Sequence, residues 1–105
     1  TTTENPGIDI KGQPGSSIRT ILGGVVTTIT YIRGYGTTII IDHGGGFYTV
    51  YSHVTNIQAT VDSEIRNGDV IAYMGDSGSI NGSKLHFEIW GKGQKLDPEA
   101  WLRKK

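Results

Sequence analysis

The chain has 105 residues, enough for one domain with one modest core and too few for two. Ten basic residues balance ten acidic ones, so the net charge is +0 and the pI lies near 6.8, which gives no electrostatic footprint for nucleic acid or an anionic membrane. Cysteine is absent, which excludes a disulfide framework and a thiolate metal site.

The chain opens abruptly at Thr1-Thr2-Thr3-Glu4 with no targeting segment, as expected of a single domain, residues 1–105, excised from a longer protein. No apolar run reaches membrane-spanning length, so membrane insertion of this segment is not expected. Sixteen glycines point to many turns between short strands, and the fold reads as mainly β.

In chain order, Asn5-Pro6-Gly7-Ile8-Asp9 sets a polar residue and an acid on either side of a glycine turn. Residues 18–32 are rich in Ile, Val and Thr, and residues 37–42 form a continuous β-branched run. Gly44-Gly45-Gly46 reads as a hairpin connection to residues 46–54, which alternate aromatics with small residues and contain His53. Residues 62–68 read as a polar lead-in to a strand over 69–74. Residues 84–90 read as a strand that turns back through Gly91-Lys92-Gly93. On it, Lys84 and His86 share one face and Leu85 packs on the other, because strand side chains alternate. A short helical turn is expected over residues 97–102, with Asp97 as N-cap and Pro98 at the first helical position.

Several residues have plain structural readings. His43, between Asp42 and Gly44, reads as a strand-end or turn residue. Tyr35, Tyr48, Tyr51 and Trp90 can be read as a peptide- or glycan-binding surface, although strand aromatics are more often core. Gly34-Tyr35-Gly36 lacks the following helix and lysine of a phosphate loop. Asp62 and Glu64 read as solvating a polar loop, and Arg103-Lys104-Lys105 as a solvated end.

Three elements together carry a family resemblance: Asn5 to Asp9 with the spacing of H-x-x-x-D, Tyr51-Ser52-His53 as Y-x-H, and Lys84-Leu85-His86 in place of H-x-H. In this order, and joined by Gly34-Tyr35-Gly36, Ile39-Ile40-Ile41-Asp42-His43-Gly44, Asn67-Gly68-Asp69-Val70-Ile71-Ala72 and Gly75-Asp76-Ser77-Gly78, the sequence resembles the LytM-type, lysostaphin-like zinc metallopeptidases over nearly its whole length. The resemblance implies a compact antiparallel β-sandwich with a groove and the short C-terminal helical turn. It also implies an extracytoplasmic, periplasmic setting. By position, the family's zinc ligands fall on Asn5, Asp9 and His86, and its catalytic histidines on His53 and Lys84.

Two motif histidines are therefore replaced, by Asn5 and Lys84. A catalytic zinc needs three protein donors and an open position for water, and this chain offers two good ones. The amide oxygen of Asn5 suits harder cations, and a lysine ammonium has no lone pair to give. No metal and no catalytic residue is expected; His53 and Lys84 are remnants of the catalytic positions. Asp9, deprived of a metal, would take Lys84 as an ion-pair partner near His86. The stretch from Phe87-Glu88-Ile89-Trp90 to Asp97-Pro98 is similar to the EnvC-like murein hydrolase activators, degenerate members that bind and switch on N-acetylmuramoyl-L-alanine amidases. The resemblance thus implies an inactive regulatory domain with such an amidase as protein partner, through a groove lined by Asn5, Asp9, His53, Lys84 and His86. Two alternatives stay open: a weakly active zinc endopeptidase cutting peptidoglycan crosslinks, with zinc as its cofactor, and a passive scaffold that binds peptidoglycan or a protein.

Overall fold

Strand after strand in this chain alternates a core-facing residue with one on the opposite face, and the computed structural model arranges them in two antiparallel sheets. It describes residues 8–13, 15–75, 84–91 and 94–96. The strands in chain order are β1 (Ile8–Lys11), β2 (Ser17–Arg19), β3 (Gly24–Ile32), β4 (Gly36–Gly44), β5 (Phe47–Ser52), β6 (Val54–Thr55), β7 (Glu64–Ile65), β8 (Val70–Met74), β9 (Lys84–Gly91) and β10 (Gln94–Leu96). The larger sheet has seven strands in the order β1-β9-β5-β4-β3-β7, with β10 also paired to β9. The smaller has three, in the order β2-β8-β6.

The core lies between the sheets. Ile39 and Ile41 of β4, Tyr51 of β5, and Leu85, Phe87 and Ile89 of β9 are buried together with Ile18 of β2, Val54 of β6, and Ile71 and Ala72 of β8. Each such aliphatic side chain stabilises the fold by roughly 1.5–3 kcal/mol through removal from water. Period-two alternation then fixes the other face of the large sheet, where Lys84, His86, Glu88 and Trp90 of β9 stand beside Tyr48, Val50 and Ser52 of β5.

The expected hairpin at Gly44-Gly45-Gly46 joins β4 to β5, and all three glycines have positive φ, 87°, 63° and 85°. The turn after β9 returns the chain as β10, antiparallel to it. Other expectations need correction. Residues 18–32 are not one extended run: β2 belongs to the small sheet and β3 to the large one. The break comes where the Thr20 hydroxyl donates to the Leu22 carbonyl at 2.6 Å and bends the chain. Gly24 then lets β3 approach β4 so closely that a Cβ there would lie 2.4 Å from the Asp42 carbonyl oxygen. The lead-in over residues 62–68 contains β7, which pairs with β3 through Ile65 opposite Gly24 and Glu64 opposite Val25. The helical turn expected over residues 97–102 lies outside the described residues.

Candidate functional site

The site is built from the antiparallel pairing of β1 with β9. Register sets Asp9 opposite His86 and Lys11 opposite Lys84, so Asp9 meets His86 directly and Lys84 diagonally. His86 Nδ1–H donates to Asp9 Oδ1 at 2.7 Å, and Lys84 Nζ reaches Asp9 Oδ2 at 3.4 Å. On the far side of the ring, His86 Nε2–H donates to Glu88 Oε2 at 2.8 Å. Trp90 Nε1–H donates to the other oxygen, Glu88 Oε1, at 2.9 Å. A hydrogen-bonded line therefore runs Lys84, Asp9, His86, Glu88, Trp90 along one face of the sheet.

The chemistry of this line follows from its acceptors. Both ring nitrogens face carboxylate oxygens, and because ionised carboxylates only accept, this arrangement favours the imidazolium form of His86. The hydrogen bond to Glu88 raises the pKa of His86 against the opposing effect of burial, and Asp9 adds to the rise through its own bond and charge. For Asp9, burial pushes the carboxyl upward, but the His86 bond and the Lys84 charge outweigh it and hold the pKa below the usual carboxylate value. Two cations and two anions then leave the cluster formally neutral, the condition under which charges are tolerated away from water.

His53 stands at the edge of this line. It is buried, with only 3% of its surface exposed, and holds a positive φ of 64° that a non-glycine residue rarely adopts. Its N–H donates to the Tyr35 carbonyl at 2.9 Å and its carbonyl accepts from Gly75 N–H at 3.2 Å. The Tyr35 ring lies 6.4 Å from the His53 ring and 5.1 Å from that of His86, the range of ring stacking and of a cation held over an aromatic face. Asn5 lies outside the described residues. His43 bonds Gly23 O through Nδ1 at 2.9 Å and Thr49 Oγ1 through Nε2 at 2.7 Å, which makes it a tie between strands.

Beside the line, and sharing Glu88 with it, is a cleft of about 470 Å³ lined by Ile32, Tyr35, Thr38, Ile40, Tyr48, Val50, Ser52, Glu88 and Trp90. Tyr35, Tyr48 and Trp90 thus sit on this surface, while Tyr51 faces the opposite way and is buried in the core. Sequence reasoning offers Trp90 only as one of four aromatics of a possible binding surface and misses Glu88. The signal was present, since the same period-two rule that joins Lys84 to His86 continues to Glu88 and Trp90.

Zinc, the metal of the lysostaphin-like enzymes, has a poor fit here. Asp9 and His86 are two donors, and the third side chain beside them is an ammonium that adds charge without a lone pair. Among the described residues no group of three His, Cys, Asp or Glu side chains converges on one point. No helix of the described residues is long and apolar enough to cross a membrane.

Comparison with known proteins gives a consistent result. The model of Peptidase family M23 matches residues 3–98. Outer membrane antigenic lipoprotein B of Haemophilus influenzae is 41% identical over 99 residues, covering 93% of this chain and 24% of that protein. Murein hydrolase activator NlpD of Escherichia coli is 38% identical over 99 residues, covering 93% of this chain and 26% of its own length. Murein hydrolase activator EnvC of Escherichia coli is 32% identical over 96 residues, covering 91% and 23%. The likeness that the sequence carried to EnvC-type activators therefore extends, at higher identity, to NlpD. Among solved structures, LytU superposes with a TM-score of 0.88 at 27% identity, covering 95% of this chain and 73% of that one. The chain spans about a quarter of the length of the curated relatives it matches.

Proposed function

The chain belongs to peptidase family M23, and from that premise we propose that it is a regulatory domain of the family, without hydrolytic activity, that binds and activates an N-acetylmuramoyl-L-alanine amidase in cell-wall remodelling. One observation carries this reading: Lys84 Nζ lies 3.4 Å from Asp9, so an ammonium serves the carboxylate that would otherwise hold a metal. The names of NlpD and EnvC, murein hydrolase activators, support the same direction. The envelope setting is read from these relatives and from a lipoprotein of the outer membrane.

In this reading the binding groove comprises Asn5, Asp9, His53, Lys84 and His86, continued by the apolar cleft beside Glu88. The charge line offers polar contacts at one end and the cleft offers Tyr35, Tyr48 and Trp90 at the other, a division suited to a partner segment with an apolar face. No zinc takes part.

The test is dye release from labelled sacculi with the domain alone, an amidase alone, and the two together. Release only from the mixture supports activation. Release by the domain alone, abolished by a chelator, would identify a zinc endopeptidase instead. Retention on sacculi with no effect on any amidase would identify a scaffold.

A further inference from the structure

Among the described residues, the larger sheet has an open edge along β3. β7 covers only its start, where Gly24 and Val25 pair with Ile65 and Glu64. Val26 then exchanges backbone bonds with Ser63 and Asp62. Beyond Val26 no described strand pairs with that side. A bulge follows between Val26 and Thr28, and from Thr28 to Ile32 the strand runs in unbroken register with β4.

This open stretch, Thr28-Ile29-Thr30-Tyr31-Ile32, carries no charge and no proline. Tyr31 is 66% exposed and Ile32 38%. Edge strands are normally protected by charge, proline or a cover, because their free N–H and C=O groups template further pairing. The bulge at Thr27 protects only the beginning of this one. Val26 directs its backbone groups away from β4, and a bulge adds one residue to the inward set, so Ile29 and Tyr31 are the next outward residues.

We propose that β3 pairs antiparallel with β3 of a second copy of this chain, about a two-fold axis at Thr30. That register sets Ile29 opposite the second copy's Tyr31, and Tyr31 opposite its Ile29, so the two outward residues of each strand bond those of the other. It also forms two aromatic on β-branched cross-strand pairs, a favourable combination in antiparallel sheets. Ile32 falls opposite Thr28. Arg33, the first charge after the strand, lies beyond both ends of the shared ladder, so the two copies bring no like charges together. The pattern is self-complementary, which is what a two-fold contact requires and what a foreign peptide would not need. Because Ile32 and Tyr35 line the cleft, the paired sheet would carry two such clefts on one continuous surface.

The absence of cysteine gives a direct test. In Thr30→Cys the two thiols face each other across the axis at a spacing that fits a disulfide, so mild oxidation yields a covalent dimer. Tyr31→Cys, which faces Ile29, stays monomeric under the same conditions. Sedimentation equilibrium of the parent chain shows mass rising with concentration from 11.4 kDa toward twice that value, and Tyr31→Lys loses the rise with an unchanged circular dichroism spectrum. A parent that stays at 11.4 kDa up to its solubility limit, or two cysteine variants that crosslink equally, overturns the proposal.

Discussion

His86 and Asp9 stand opposite each other in the β1–β9 ladder and are joined again side chain to side chain, ring nitrogen to carboxylate, at 2.7 Å. The backbone register and the charge line thus enforce one another. The first strand of the described chain is fastened to β9, its neighbour in the larger sheet, by the same residues that make up the site.

Replacing Lys84 with Ala separates function from stability. Asp9 is 48% exposed, so solvent screens the lost partner, and urea denaturation should show a cost of about 1 kcal/mol or less. Amidase-dependent dye release should be lost. Full activation by the Lys84→Ala chain would move the binding surface elsewhere.

Glu88→Gln acts differently, because Glu88 is buried and accepts from both His86 and Trp90. Removing its charge leaves the imidazolium with one carboxylate, and a loss of about 1–3 kcal/mol is expected. The NMR titration midpoint of His86 should fall. A midpoint that does not move would mean that Glu88 is not what holds the ring protonated.

Stability should depend on pH through the same line. The pKa of His86 is raised in the folded state, so its contribution is fully present below the unfolded value of about 6.5 and is lost as pH climbs through the higher folded value. The pKa of Asp9 is lowered, so its contribution is present above the unfolded value of 3.8 and is lost as pH falls through the lower folded one. Denaturant midpoints should therefore decline on both sides of a weakly acid range. In His86→Gln the decline on the alkaline side should vanish.

Metal content gives a fourth check. The parent chain, titrated with zinc, should show no stoichiometric uptake, because two donors and an ammonium do not make a site. The double variant Asn5→His, Lys84→His restores both missing motif histidines and should take up zinc, with a rise in melting temperature that a chelator reverses. Stoichiometric zinc on the parent would remove the basis for a non-hydrolytic domain.

In the core, Ile39→Ala should cost about 2–5 kcal/mol, since the side chain is fully buried and its loss leaves a cavity between the sheets. Thermal unfolding would show it directly.

What could be read from the chain followed from short-range rules. The β4–β5 hairpin was visible in its glycines and β-branched runs, and the nearness of Asp9, Lys84 and His86 in motif spacing, strand alternation and the need of a carboxylate for a cation. What escaped depends on distant partners. The break between β2 and β3 is set by the Thr20 to Leu22 bond and by the approach of β4 to Gly24, neither of which appears in local propensity. β7 is two residues long and exists because β3 lies beside it. Tyr35 meets His53 and His86 only after folding brings the β3–β4 turn to β9.

β9 is paired along both sides, with β5 on one and β1 and β10 on the other. A strand so enclosed exchanges its amide protons only when much of the domain opens, so Lys84, His86, Glu88 and Trp90 belong to the last part of the molecule to loosen. The surface they form is a fixed template. Any change of shape that accompanies complex formation would then fall to the partner, and amide exchange on β9 would stay slow in the free and the bound domain alike.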